Sequence, residues 1–199
     1  MTPTATDANP SDVTREEMHF RRIDMRGYRR SDGLYEVEGR VTDRKPHDFT
    51  SPNGFKCVPA GDAIHDMGVV LVFDESMTVR AVRAFTGSAP YDSCFEAPAT
   101  LQVLVGLRLA SGWGAEVRKH LSGAACCSHL KEILVPIATV AYQTLTMLRS
   151  SRPDILNAQG VPVKIDSCYA YARNRDVVRR KWPAYYTGPA ISADGDIDR

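Results

Sequence analysis

No Walker loop, GxGxxG, GxSxG or HExxH occurs in this chain, so nucleotide-dependent and standard hydrolase mechanisms lose their usual support. No CxxC pair is present either. The five cysteines, Cys57, Cys94, Cys126, Cys127 and Cys168, form an odd set unlike a secreted disulfide framework. Adjacent Cys126 and Cys127 are poorly placed to bond to one another, and reduced buried thiols explain the set most simply. The longest apolar runs, residues 67–73 and 133–141, fall well short of the roughly 20 residues that cross a bilayer. A formal charge of +1 supplies no global field to recommend nucleic acid or an anionic membrane as partner. The first residues lack a basic segment followed by an apolar one. Residues 1–11, rich in Thr, Ala, Pro and Asp, read as a flexible arm without a secretory signal, and the expected location is cytoplasmic. There is no internal repeat.

What the chain does contain is enough apolar residue, 43% over 199 positions, for one domain with a proper core. Between Arg29 and Arg40 an Arg pair and an acidic segment flank the turn Asp32-Gly33. Beyond it Leu34, Glu36, Glu38 and Arg40 alternate with Tyr35, Val37, Gly39 and Val41, the two-residue period of a strand with one charged and one apolar face. Extended segments are expected at residues 19–26, 34–44, 64–74 and 78–86, with a long Pro/Gly loop over 45–63 and a hairpin connection over 74–78.

From Cys94 onward the period changes. Leu101, Leu104, Val105 and Leu109 after Pro98 predict a first helix, and residues 114–121 a second. Leu130, Ile133, Leu134, Ile137, Ala138, Ala141, Leu145 and Leu148 trace one stripe of a third, with Ser128 as N-cap and Pro136 as a source of a kink. The expected class is α+β: an antiparallel meander of three to four strands packed against a C-terminal group of about three helices. The expected boundaries are a flexible arm over 1–14, a single domain over 15–186 and a flexible tail over 187–199. Within that domain the sheet covers about 19–86, the helices about 95–149 and a C-terminal unit about 165–186.

Several residues carry chemistry. His65 and Asp66 stand where the third strand leaves the Pro/Gly loop. His65 can exchange a proton near neutral pH and Asp66 can orient it, although neighbours on a strand point to opposite faces. The position suits a structural strand-end histidine equally well. Tyr91 and Cys94 lie at the strand-to-helix crossing, where Tyr91 can donate a proton and Cys94 can simply fill the interface. Cys126, Cys127 and His129 sit at the positive end of the longest helix, which favours thiolate. With His65 or Asp66 and Cys94 nearby they compose a conceivable zinc site, in the first place Asp66, Cys94, Cys127 and His129, although the spacing matches no compact metal motif. Lys45 and His47 lie in the long loop, a common home of ligand contacts, and Tyr35 follows the hairpin turn. The runs containing Arg21, Arg22, Arg26, Arg29 and Arg30, and Arg173, Arg175, Arg179, Arg180 and Lys181, are ordinarily solvated faces. In a functional reading one such guanidinium, Arg30 above all, holds a carboxylate or phenolate.

The segments RGYRRSDGLYEVEGRVTDRKPH, PAGDAIHDM, SAPYDSC and CSHLKEILVPIATVAYQTL, in that order, resemble a bacterial family catalogued as DUF2889, over about residues 19–148. The resemblance implies catabolism of lignin-derived aromatic compounds, including loss of formaldehyde from phenylcoumaran-type dimers. In that setting the expectation is a cofactor-independent carbon–carbon lyase acting on a small aromatic molecule. His65, Tyr91 and Asp66 are its catalytic candidates, and Arg30, Lys45, His47 and Tyr35 its substrate-binding ones. No nucleic acid or membrane partner is expected, and a homo-oligomer is compatible. The same order of elements is also similar to U-type iron–sulfur cluster scaffolds, with Asp66, Cys94 and Cys127 in comparable places. Here Ile64-His65-Asp66 replaces Cys-Gly-Asp, and Cys126-Cys127-Ser128 replaces His-Cys-Ser. The rival function is therefore a metal-binding or cluster-carrier protein, and a third is a non-enzymatic ligand-binding domain.

Overall fold

The structure, a computed structural model, describes residues 13–189 apart from 53, 55 and 151. The arm expected over 1–14 and the tail over 187–199 lie mostly outside the described residues. Strands β1 (Phe20–Arg29), β2 (Tyr35–Arg44), β5 (Ala63–Phe73) and β6 (Val79–Ser88) form one antiparallel sheet in the order β1-β2-β5-β6. The long loop between β2 and β5 folds on itself through two short strands, β3 (Phe49–Thr50) and β4 (Cys57–Val58). The α+β meander read from the alternation is thus the fold of this chain.

The first hairpin closes as its residues require. Gly33 takes a positive φ of 83°, Asp32 Oδ1 accepts the Leu34 amide, and the Arg30 amide donates to the Leu34 carbonyl. In the second hairpin Asp74 organises the turn. Its carboxylate accepts hydrogen bonds from the Ser76 hydroxyl at 2.6 Å, the Thr78 amide at 3.1 Å and Arg80 Nε at 2.7 Å.

One face of the sheet is apolar. Tyr35, Val37 and Val41 of β2 and Met67, Val69, Leu71 and Phe73 of β5 are all buried, at the two-residue period of their strands. Helix α2 (Ser128–Thr144) crosses this face and buries Leu130, Ile133, Leu134, Ile137 and Ala141, the stripe expected from its spacing. Each such side chain contributes roughly 1.5–3 kcal/mol on leaving water. The cap is Cys127 rather than Ser128, which forms the first helical residue, and Pro136 is carried inside the helix. Helix α1 (Trp113–His120) packs on α2, and the Trp113 indole donates to the Leu134 carbonyl.

The helix expected after Pro98 is instead a 3-10 segment, Ala97–Leu104. Val105 is extended, and the chain then runs beside the start of β6. There the Val79 amide donates to the Leu107 carbonyl and the Leu109 amide to the Met77 carbonyl. Leu109 is buried by that pairing rather than by a helix face.

The chain divides into two compact units at Met147/Leu148. The second unit, by itself, gathers Ile165, Val178 of α4 (Asp176–Lys181) and Trp182 into a small core with Val161, Tyr171 and Tyr185 against it. The Trp182 indole donates to Asp154 Oδ2 at 2.6 Å, and Asp166 holds Arg173 at 2.8 Å. A short α3 (Thr146–Ser150) spans the division. Among the described residues no helix is long and apolar enough to cross a membrane.

Two predictions test this frame. A Cβ added at Gly39 would overlap Ile133 Cγ2, so Gly39→Ala is expected to cost about 1–3 kcal/mol by overpacking, read from urea unfolding. An unchanged midpoint would contradict the close approach of α2 to β2. At Asp74, burial pushes the carboxyl up, but the hydrogen bonds from Ser76, Thr78 and Arg80 prevail and hold it at about 2. Because this lies below the unfolded value, its stabilisation is complete above about pH 4 and fades as pH falls toward 2. Asp74→Ala is expected to lose roughly 1–2 kcal/mol at pH 7 and to converge with the parent protein in acid. A difference independent of pH would contradict the assignment.

Candidate functional site

The apolar face of the sheet ends in a polar row. On β2 the in-phase series Tyr35, Val37, Gly39, Val41 continues to Asp43, and on β5 the series Phe73, Leu71, Val69, Met67 continues to His65. The register sets Arg21 of β1 opposite Asp43, and Asp43 opposite His65, so three neighbouring strands each contribute one polar side chain to one line. His129, in the first turn of α2, is brought over this line by the packing of Ile133 against Gly39.

Asp43 is the hub. Its side chain is 1% exposed. Arg21 grips it as a fork, with Nε donating to Oδ1 at 2.7 Å and Nη2 to Oδ2 at 2.8 Å, while Arg21 Nη1 reaches Glu132 at 2.5 Å. His19 Nε2 lies 3.2 Å from Oδ1. Two more imidazole nitrogens approach Oδ2: His65 Nδ1 at 3.0 Å and His129 Nε2 at 3.5 Å. The His65 and His129 rings stack, with centroids 3.7 Å apart and planes 28° from parallel. The His65 contact is close but not directed as a hydrogen bond, which leaves Nδ1 a buried nitrogen without a hydrogen-bond partner.

The electrostatics follow from this crowding. Burial raises the Asp43 carboxyl, but the hydrogen bonds and charge of Arg21 outweigh it and hold the group below the usual carboxylate range. Burial and then the neighbouring His129 push His65 down to about 4 against the pull of Asp43, so His65 is neutral at neutral pH. Burial opposes ionisation at Cys127, yet hydrogen bonding from His129 and from backbone amides at the start of α2 lowers the thiol overall. The Cys127 Sγ lies 3.9 Å from His129 Nδ1 and contacts Met67 Sδ at 3.7 Å. Cys94 and Cys126 go the other way, both raised by burial.

This cluster forms one wall of an open cavity of about 580 Å³, within the size range of small-molecule sites. His65, His129, Tyr91, Cys94, Cys127 and Thr100 are among its lining residues. The loop that carries Tyr91 is anchored where Lys56 Nζ donates to the Ala89 carbonyl at 2.6 Å. An arrangement of this kind can move protons at a substrate oxygen or gather positive charge against one.

Of the residues singled out by sequence, His65, Tyr91, Cys94, Cys126, Cys127 and His129 share this cavity. The others do not. Asp66 points to the opposite face of the sheet, where Arg40 holds it with two contacts of 2.6 Å, so Asp43 rather than Asp66 stands beside His65. The set Asp66, Cys94, Cys127 and His129 is therefore not assembled, nor are the ligands suggested by the cluster-scaffold likeness. Arg30 is bound at the hairpin turn to Asp32 at 2.7 Å and Glu36 at 2.8 Å. Tyr35 is a core residue packed in a tilted ring pair with Phe73, its register partner, with ring centroids 5.8 Å apart. Phe73 is eight residues along β5 from His65, about 26 Å at a strand's rise, so neither Arg30 nor Tyr35 faces the cavity. Lys45 donates to the Met18 carbonyl at 3.2 Å and His47 is exposed; neither lines the cavity. Sequence reading missed Asp43, Arg21 and His19 as site residues. A carboxylate falling in phase with an apolar strand face was the available signal.

The family described as a protein of unknown function, DUF2889, matches residues 19–143, which span the sheet, the cavity and nearly all of α2. No curated protein and no solved structure matches the chain. The match takes in every residue of the Asp43 cluster, and the chain belongs to the DUF2889 family.

Proposed function

We propose that this protein is a small-molecule enzyme, a carbon–carbon lyase that acts by acid–base chemistry on a hydroxylated aromatic compound. The observation that carries the reading is the pairing of His65 with the buried carboxylate of Asp43 at the wall of a cavity that Tyr91 also lines. A carboxylate beside an imidazole stabilises the imidazolium formed when the ring takes a proton, and the cavity volume suits an aromatic dimer. Pro90, Ala97 and Ala124 supply apolar wall against which rings can lie.

The family resemblance directs the reaction toward loss of formaldehyde from a hydroxymethyl group next to a quinone-methide-type carbon. His65 takes the proton of the hydroxymethyl oxygen. The bond from the hydroxymethyl carbon to the saturated carbon beside the quinone-methide carbon breaks, formaldehyde leaves, and the released electron pair forms the double bond between that saturated carbon and the former quinone-methide carbon as the ring regains aromaticity. Tyr91 gives its proton to the resulting phenolate and recovers one from solvent while His65 returns its own to solvent, so the sum is substrate to phenolic product plus formaldehyde. Unpaired thiols at all five cysteines suit a reducing cytoplasmic setting.

Formaldehyde release from phenylcoumaran-type dimers is the assay. His65→Ala is expected to lose about 10²- to 10⁴-fold in turnover, the usual contribution of a positioned acid or base, with Tyr91→Phe reduced less. A folded His65→Ala variant with full turnover would remove His65 from the mechanism. Saturable binding of such dimers without turnover would instead favour a ligand-binding domain.

A further inference from the structure

We propose that Asp43, His65 and His129 bind one divalent transition-metal ion of the zinc class. The three candidate ligand atoms, a carboxylate oxygen and one nitrogen from each ring, lie within 4.8 Å of one another. The separations from Asp43 Oδ2 are 3.0 Å to His65 Nδ1 and 3.5 Å to His129 Nε2. A tetrahedral ion with bonds of 2.0–2.1 Å spaces its ligands by about 3.3 Å, so these edges already have the required size.

Three further features point the same way. His65 Nδ1 is buried, has no hydrogen-bond partner and yet faces a carboxylate oxygen, the arrangement of two lone pairs that share a cation. His129 has its other nitrogen, Nδ1, against the Cys127 sulfur, which leaves Nε2 to face Asp43 and supplies the outer partner that ligating histidines commonly have. Asp43 is held in orientation by Arg21 and His19, as ligating carboxylates usually are by their own hydrogen bonds. Arg21 Nη2 also donates to Oδ2, so the ion shares that oxygen with the guanidinium.

Two histidines and one carboxylate leave positions free on the cavity side for a substrate oxygen. Two imidazoles on one tetrahedral ion have centroids about 5 Å apart, so loading requires the rings to turn out of their 3.7 Å stack. The inference goes beyond the acid–base reading. With the ion bound, His65 would serve as one of its ligands, and the ion would make a coordinated hydroxyl more acidic, in place of proton removal by a free His65.

The experiment strips the full-length protein with a chelator and titrates it with cobalt(II) alone. One equivalent is expected to bind with visible d–d absorption, to be displaced by zinc, and to lose at least about 10-fold in affinity in His129→Gln and in Asp43→Asn. Cys94→Ser should bind as the parent protein does. If Asp43→Asn does not fold, His129→Gln and His65→Gln carry the comparison. Absence of cobalt binding by the folded apoprotein overturns the site, as does binding that survives both histidine variants or is lost in Cys94→Ser with a thiolate charge-transfer band. Formaldehyde release measured on the same samples separates the two readings. Full turnover by protein that binds no cobalt overturns the metal site and leaves the lyase, whereas stoichiometric binding without turnover supports the site and removes the lyase.

Discussion

The burial of one charge organises this molecule. Asp43 sits at the end of a strand face that is otherwise apolar, and an isolated carboxylate there would be costly to remove from water. Arg21 meets that cost with a two-pronged pair across the β1–β2 ladder, and His19, His65 and His129 crowd the remaining directions. A pair built on a buried carboxylate is weak support for stability compared with a packed apolar alternative. The place of Asp43 behind two imidazoles that line a cavity is better explained by what the carboxylate does for them.

The fold makes this convergence by ordinary means. Antiparallel register alone lines up Arg21, Asp43 and His65, since each occupies the inward phase of its strand at the same level of the sheet. The fourth member comes from the helix. Gly39 lets α2 lie close to β2 at Ile133, and one turn nearer the helix start His129 stacks on His65. Arg21 extends the same linkage by bridging Asp43 to Glu132 on α2. The sheet core, the helix seat and the polar cluster are therefore parts of one packing arrangement, and the cavity opens where that arrangement ends.

Much of this was legible in the sequence. The strand alternation, the Asp32-Gly33 turn and the apolar stripe of α2 are local signals, and each appears where its period places it. His65, Tyr91, Cys127 and His129 stood out because their chemistry is unusual for their positions, and the fold gathers them on one cavity. The segment after Pro98 misled because its leucines keep helical spacing while the chain turns extended at Val105 to pair with β6. Arg30 misled for another reason: a conspicuous charge cluster at a turn satisfies itself locally, here through Asp32 and Glu36. Asp43 escaped notice because one acidic residue near a strand end looks like solvated edge. Only its phase with Val41, and its partners on other strands, mark it as buried. Adjacency in sequence likewise favoured Asp66 as the partner of His65, whereas the pleat sends the two side chains to opposite faces.

Arg21 and the buried carboxylate of Asp43 form a directly coupled pair that fixes the site. A double-mutant cycle on folding free energy, with Arg21→Met, Asp43→Asn and the combination, measures that coupling. The account predicts an interaction energy of about 2–3 kcal/mol, the upper range for residues in direct contact. Additive effects within about 0.5 kcal/mol would contradict it.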